Sequence, residues 1–482
     1  MIRRADPASL VQKVWSFAHI LKDDGLAFMD YTEQITYLLF LKLAWEQRDN
    51  SNGHVIPPAH TWGSLRAITS AEALARSYQR TLKRLSEEPG LLGLIYTKPV
   101  SKINDPAKLR RLMDLIDAEQ WSALDVDVKG EIYEGLLAKN AEDVRGGAGQ
   151  YFTPRPVIQA VVEVMRPQPM MTIADPASGT GGFLLAAYES LRPRVRGRKE
   201  LRFLQERALL GIDIVPSVAR LCAMNLYLHG VGTDPSHPVV TIGDSLAARP
   251  QAVDMVLTNP PFGKKSSIKV FSDNRGTTKE SIHYSRDDFW ATTSNKQLNF
   301  VQHVYTMLKP GGRTAIVVPD NVLFEAGAGE TIRRKLLETC DVHTLLRLPT
   351  GIWYSAGVKA NVLFFDKRPP RDRRLWIYDL RTNKSFSQRQ NPISRGDLQD
   401  FVTCYNANDR GERRETERFR AFRTAELLAG ERGTMDISWL RDDSMTDPKT
   451  LPNPAVLAQE IVNLLNESLS EFSEVAEMLR GG

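Results

Sequence analysis

Ile173-Ala174-Asp175-Pro176-Ala177-Ser178-Gly179-Thr180-Gly181-Gly182-Phe183 reads as a strand ending on an acid, a glycine-rich loop, and the opening of a helix that continues through Leu184-Leu185-Ala186-Ala187. Glycines in such a loop let backbone come close to a ligand, and the helix that follows points its first amides at it. No Gly-Lys-Ser/Thr follows, so the loop is not a phosphate loop of the nucleotide-hydrolase kind. A strand, loop and helix in this order is the first unit of an open α/β sheet.

About eighty residues on, a short apolar run, Asp254-Met255-Val256-Leu257-Thr258, reads as a buried strand and leads into Asn259-Pro260-Pro261-Phe262. The two prolines stop the strand and stiffen the backbone. Asn259 and the Pro260 carbonyl are then two acceptors at a strand's carboxyl end, suited to one exocyclic amino group, with Phe262 free to stack on its ring. Taken alone, this tetrapeptide is equally a proline turn. A third segment, Gly149-Gln150-Tyr151-Phe152-Thr153-Pro154-Arg155, lies just before the first strand.

The three motifs in this order resemble the S-adenosylmethionine-dependent amino-methyltransferases of the DNA adenine-N6 class. The match along nearly the whole chain is with the modification subunits of type I restriction-modification systems. The resemblance implies an α/β fold: a Rossmann-like methyltransferase sheet with a helical N-terminal domain and a C-terminal helical tail. It implies Asn259, Pro260, Pro261 and Phe262 as the catalytic group, acting on an adenine flipped out of double-stranded DNA. It implies S-adenosylmethionine held by Gln150, Tyr151, Phe152 and Thr153, by Asp175 and by Ser178, Gly179, Thr180, Gly181 and Gly182. Asp213, after Gly211-Ile212, would take the ribose, and Asp244, in Gly243-Asp244-Ser245, the cofactor's adenine. Leu348-Pro349-Thr350-Gly351-Ile352-Trp353-Tyr354 and Val358 to Phe365 look like the strand-turn-strand that closes the catalytic sheet, with Trp353 or Tyr354 against the flipped base. The implied partners are a DNA specificity subunit that reads the site, a second copy of the chain, and a restriction (nuclease/translocase) subunit.

Composition is compatible with this. A chain of 482 residues predicts two or three domains, and 42% hydrophobic with 25% charged residues is ordinary for a soluble protein. The net charge of +5, from 63 basic and 58 acidic residues, permits a nucleic-acid partner without arguing for one. Cys222, Cys340 and Cys404 are far apart and the eight histidines form no ligand spacing, so no metal is expected and three reduced thiols are. No apolar core follows Met1-Ile2-Arg3-Arg4, so no signal peptide is expected. Ile35 to Trp45, the most apolar stretch, is too short for a bilayer and contains Lys42. It reads as a buried helix in a cytoplasmic protein.

The spacing divides the chain into a helical region over 1–140, a catalytic domain over 141–425 and a helical tail over 426–482. In the first, Leu10, Val14, Phe17 and Leu21 share a helical face, a second helix opens at Thr32, and further helices cover 71–85 and 107–116. In the second, strands are predicted at 171–175, 209–213, 239–242, 255–258, 314–318, 345–348 and 362–365, with helices at 215–229 and 298–308. Lys309-Pro310-Gly311-Gly312 reads as a helix stop. Residues 263–297 show no period and read as a long irregular loop, either a lid or DNA-facing element or, equally, a disordered surface insertion. The Arg-rich stretch 368–423 reads as solvated surface. Leu457, Ile461, Leu464, Leu465, Leu469, Phe472, Val475 and Leu479 form one apolar stripe on a long helix, which by resemblance would dock on a specificity subunit.

Other readings compete. A stand-alone DNA adenine methyltransferase would need a recognition domain, and about sixty residues follow 425. A glutamine methyltransferase would favour Tyr over Phe262. A non-catalytic scaffold would have no reason to keep every motif residue.

Overall fold

The computed structural model describes residues 17, 20–21, 28–46, 56–119, 121, 153–232, 234–262, 267–272, 276–281, 284, 286–353, 358–387, 390–430, 433–441 and 462. The expectations for Leu10, Val14, Gln150, Tyr151, Phe152, Tyr354, and the apolar stripe of the tail lie outside them. The chain falls into two compact units, 1–438 and 439–482.

The first unit is built on nine strands. β1 (Ile173–Asp175), β2 (Leu209–Asp213), β3 (Val240–Ile242) and β4 (Val253–Thr258) come first. A separate antiparallel hairpin follows, β5 (Ser267–Ser272) with β6 (Gly276–Ser281). Then come β7 (Leu308–Pro319), β8 (Asp341–Arg347), β9 (Ala360–Asp366), β10 (Arg374–Asp379) and β11 (Phe419–Arg423). The sheet runs β11-β10-β8-β9-β7-β4-β1-β2-β3. β1 pairs in parallel with both β2 and β4. The chain therefore leaves β1 toward one edge for two strands and returns to its other side for the rest. That reversal opens a crevice at the carboxyl ends of β1 and β4, where open sheets take ligands.

Burial explains the composition of the central strands. Ile173, Ala174, Met255, Val256, Leu257 and Ala315 are all 0% exposed, as strands covered on both faces require. Helices Gly182–Leu191 and Pro216–Leu228 follow β1 and β2. The N-terminal helix Phe28–Glu46 buries Ile35 through Leu43. Its polar residues are matched within the fold: Gln34 donates to the Val100 carbonyl (2.9 Å), and Lys42 pairs with Asp117 at 2.8 Å. Arg220, on the helix after β2, pairs with Glu33 and donates to the Thr97 carbonyl (3.2 Å). Beside it Phe40 meets Tyr227 edge-on, 5.1 Å between centroids. The N-terminal helices thus lean directly on the sheet's own covering helix.

Four expectations are corrected. The second helix starts at Phe28, with Thr32 inside it rather than at its cap. The helix before β7 stops at Met307, and Lys309-Pro310-Gly311-Gly312 belongs to the strand. Gly311 takes φ +79° and its amide donates to the Lys367 carbonyl at 2.8 Å, so cross-strand pairing captures the turn. The sheet is not closed by β8 and β9, which are antiparallel neighbours; β10 and β11 extend it within the stretch read as solvated surface. There Trp376 and Phe419 stack at 4.8 Å and Arg413 lies over the Phe419 ring, so arginines cover a packed aromatic edge. Residues 263–297 are not irregular throughout either. They hold the hairpin, and past it Trp290 packs on Tyr305 at 4.4 Å and Arg286 lies over Phe289 at 4.3 Å.

No helix among the described residues is long and apolar enough to cross a membrane. Among the same residues no three His, Cys, Asp or Glu side chains gather as metal ligands would.

Candidate active site

Three loops at the carboxyl ends of β1, β2 and β3 are stitched together by backbone and side-chain hydrogen bonds. The Ser178 amide donates to the Ile212 carbonyl (2.9 Å) and the Gly179 amide to Asp213 Oδ2 (3.0 Å). The other Asp213 oxygen accepts from the Val215 amide at 2.8 Å. Gly243 donates to the Asp213 carbonyl (2.9 Å), and Ser245 Oγ to the Pro176 carbonyl (2.5 Å). From beneath, Asn225 Nδ2 holds the Thr180 carbonyl at 2.9 Å. Asp213 therefore does structural work, tying the loops together.

Two glycines of the first loop are left-handed, Gly179 at φ +54° and Gly181 at φ +87°. A Cβ on Gly181 would lie 2.8 Å from Cys222 Sγ, whereas one on Gly179 would meet nothing within 4 Å. The loop is pressed against the buried Cys222 at Gly181 and is open at Gly179. Burial raises the Cys222 thiol to about 12, so it serves as packing.

Asp175 is almost fully buried beneath this loop. Its Oδ1 accepts from Thr258 Oγ1 (2.6 Å) and the Ala177 amide (3.1 Å). Burial, reinforced by the charge of Asp213, nevertheless raises its carboxyl to about 7. Asp213 is raised too, again by burial. Burial thus holds both carboxyls toward the neutral form. Asp244 accepts from the Leu246 amide at 2.9 Å and from the Tyr284 hydroxyl at 2.8 Å.

Thr258 links β1 to β4, and the next residue is Asn259. Its Nδ2 donates to Thr153 Oγ1 at 2.9 Å, while Oδ1 is buried with no hydrogen-bond partner among the described residues. A buried acceptor left unmet costs about 1–3 kcal/mol and points to a group that is to arrive. Thr153, Asp175, Ser178, Gly179, Thr180, Gly182 and Asn259 line one open pocket with Ile158, Ala177 and Phe183; its empty space is about 330 Å³, counting the mouth. Phe262, half-buried, meets Trp353 edge to face at 5.7 Å. Trp353 is 3% exposed, and its Nε1 likewise has no partner among the described residues.

The structure thus brings Thr153, Asp175, Ser178, Gly179, Thr180, Gly182 and Asn259 to one pocket, with Asp213 bonded to its loop and Gly181 turned to Cys222 rather than lining it. Asp244 is not among the pocket-lining residues and is engaged by Tyr284. Sequence reasoning missed Tyr284, whose contact spans forty residues. It also missed Ile214 and Val215, which follow Asp213 and are 63% and 44% exposed. Large apolar side chains left in water beside a ligand crevice are a surface for an aromatic ring. The adjacency to Asp213 was the available signal.

The residues fit S-adenosylmethionine: left-handed glycines allow close backbone approach, and the acidic Asp175 lines the same open pocket. The model of the N-6 DNA methylase family matches residues 124–428, and that of the HsdM N-terminal domain matches residues 10–118. The StySPI methylase subunit of Salmonella potsdam is 34% identical over 98% of this chain and 96% of its own length. The EcoKI methylase subunit of Escherichia coli K12 is also 34% identical, over 98% and 95%. The crystal structure of the EcoKI M protein superposes with a TM-score of 0.55 at 31% identity, covering 96% of this chain and 94% of that one. A chain from a type I R-M system, solved to explain its assembly and conformational transition, gives 0.69 at 26% identity, covering 98% and 99%. The chain belongs to the N-6 DNA methylases and, within them, to the methylase subunits of type I restriction enzymes, which methylate adenine N6 in DNA with S-adenosylmethionine.

Proposed function

We propose that Asn259, with the Pro260 carbonyl, grips the N6 amino group of a flipped adenine, while the β1–β3 loops hold the cofactor. The unmet Asn259 Oδ1 carries this reading. The N6 lone pair is delocalised into the purine ring and is a weak nucleophile. An acceptor for each N–H draws the amine toward tetrahedral geometry, localises the lone pair and stabilises the positive charge that builds on nitrogen. Pro260 and Pro261 hold these acceptors in place so that little reorganisation is needed. Phe262 and Trp353, edge to face, form the apolar wall for the base, which must leave the duplex to reach it. When bound, S-adenosylmethionine supplies an electrophilic methyl group, its carbon–sulfur bond breaking as the nitrogen–carbon bond forms. The methylated amine then loses one proton to water.

Gln150, Tyr151, Phe152 and Thr153 close over the cofactor. Asp175 and the Ser178–Gly182 loop take its methionine part, Asp213 its ribose and Asp244 its adenine, for which Tyr284 must give way. Ile214 supports that ring. Residues 1–140 contact DNA and partner subunits, 141–425 carry the chemistry, and 426–482 dock on a specificity subunit that selects the site. A second copy and a restriction subunit complete the assembly, in the cytoplasm.

The test is methyl transfer from labelled S-adenosylmethionine to unmethylated DNA, by this chain with its specificity partner and alone. N6-methyladenine formed only with the partner supports the reading; site-specific methylation by the chain alone overturns it in favour of a self-sufficient enzyme.

A further inference from the structure

We infer that Thr153 is a positioning residue for methyl transfer: its hydroxyl oxygen fixes the Asn259 carboxamide in the orientation that turns Oδ1 toward the substrate amine. The inference rests on the role proposed above for Asn259.

The two ends of a carboxamide have nearly the same shape and opposite hydrogen-bond character. An asparagine free to flip presents its NH2 to the substrate half of the time, and a donor facing an amine cannot accept its proton. A hydroxyl can pair with either end, accepting from the NH2 or donating to the oxygen; the substrate amine, which needs an acceptor, selects the first arrangement, and Thr153 completes it. In the described structure the Asn259 side chain has one hydrogen bond, from Nδ2 to Thr153 Oγ1, between residues 106 apart in the chain. With nitrogen held there, Oδ1 is left as the free acceptor, and it is the atom buried without a partner.

Both ends of this link are stiff. Thr153 precedes Pro154 and Asn259 precedes Pro260, and a residue before proline is held in extended backbone. Pro154, at φ −54° and ψ 133°, caps the helix Arg155–Met165.

 In that helix Ile158 Cδ1 stands 2.9 Å from where a Cβ on Gly182 would lie. The segment carrying Thr153 is therefore keyed into the glycine loop, and the Thr153–Asn259 bond joins the cofactor side of the pocket to the catalytic amide.

The test uses the full chain with its specificity partner, comparing Thr153→Val, Thr153→Ser and Asn259→Ala. Two quantities are read: kcat at saturating cofactor and DNA, and the Kd for S-adenosylmethionine by titration calorimetry. Thr153→Val keeps the shape and removes the acceptor. Its kcat should fall about ten- to a hundredfold. Because Thr153 also closes over the cofactor, Kd is expected to loosen as well, and kcat is therefore read at saturation. Thr153→Ser should restore kcat to within about threefold of the wild type, since it returns the hydroxyl. A wild-type kcat in Thr153→Val overturns the inference. So does a looser Kd with kcat intact at saturation, which would make Thr153 a cofactor contact only. A Thr153→Ser variant as slow as Thr153→Val also overturns it, because lost packing would then be the cause. If Asn259→Ala itself keeps the wild-type kcat, the role given to Asn259 has failed, a result distinct from all of these.

Discussion

The two halves of the crevice are finished to different degrees. At the ends of β1, β2 and β3, Asp175, Asp213 and Asp244 each already accept at least two hydrogen bonds from the fold. At the end of β4, Asn259 Oδ1 is buried and unmet among the described residues, and so is Trp353 Nε1 across from Phe262. The first half is built around its own backbone, as suits a cofactor that must be bound in the same pose each time. The second half keeps polar atoms waiting at a cost of about 1–3 kcal/mol each. That cost is tolerable where a substrate base comes to meet them. Ser178 Oγ in the first half is also buried without a partner among the described residues. It is therefore the place of the Asn259 oxygen, at the end of β4 and ahead of two prolines, that marks the proposed chemical step.

Asp213→Ala strikes hardest at the finished half, because it removes ties to Gly179 and Val215 together with the proposed ribose contact. S-adenosylmethionine affinity should fall by at least about a hundredfold in calorimetry, the combined effect of several hydrogen bonds. A fall of less than about threefold would mean that the loops hold themselves.

Gly181→Ala and Gly179→Ala sharpen the contrast within one loop. Both force a side chain onto left-handed backbone, at about 1–2 kcal/mol. Only the Gly181 change also drives a Cβ against Cys222, which adds about 1–3 kcal/mol of overpacking. Denaturant unfolding should rank Gly181→Ala as clearly the less stable. Equal loss in both would show that the loop is not pressed on Cys222.

Asp175 gives a pH signature. Its folded carboxyl is raised to about 7 by burial, against an ordinary value of 3.8. The folded chain then holds a proton that the unfolded chain releases. Stability from this group is present below about pH 4 and is lost as pH rises through 7. The melting temperature of the free chain should fall between about pH 4 and 7, and Asp175→Asn should flatten that slope. An identical slope in the variant would place the titration elsewhere.

Ile214→Ala should have the smallest effect. The side chain is 63% exposed, so its removal should leave unfolding unchanged. The KM for S-adenosylmethionine should rise about three- to tenfold if this side chain supports the adenine ring. An unchanged KM would remove Ile214 from the site.

The finished half was also the legible one. Its strands and loops are local signals: Ile173 to Phe183 contains strand, acid, glycines and helix in one run, and Leu209–Asp213 falls where the apolar run ends. Asn259 was legible because two prolines mark it. What the sequence hid is what distant residues settle. β10 and β11 lie among arginines whose charge masks the buried Leu375, Trp376, Ile377 and Phe419. The hairpin β5–β6 has no alternating pattern, and Gly311 stays within a strand only because Lys367 pairs with it. Thr153 reads as a cofactor contact until its partner, 106 residues away, is seen.

The most direct measurement is single-turnover methyl transfer by Asn259→Ala, with cofactor binding followed in the same preparation. Among the described residues the Asn259 side chain is hydrogen-bonded to the cofactor half only at Thr153, so the Kd for S-adenosylmethionine should remain within about twofold of the wild type. The rate of N6-methyladenine formation should drop by about a hundred- to a thousandfold, the usual loss for one preorganised group at a site of developing charge. A variant that binds cofactor normally and still methylates at more than about a tenth of the wild-type rate would contradict the account, since the unmet oxygen would then not be the one that the amine needs.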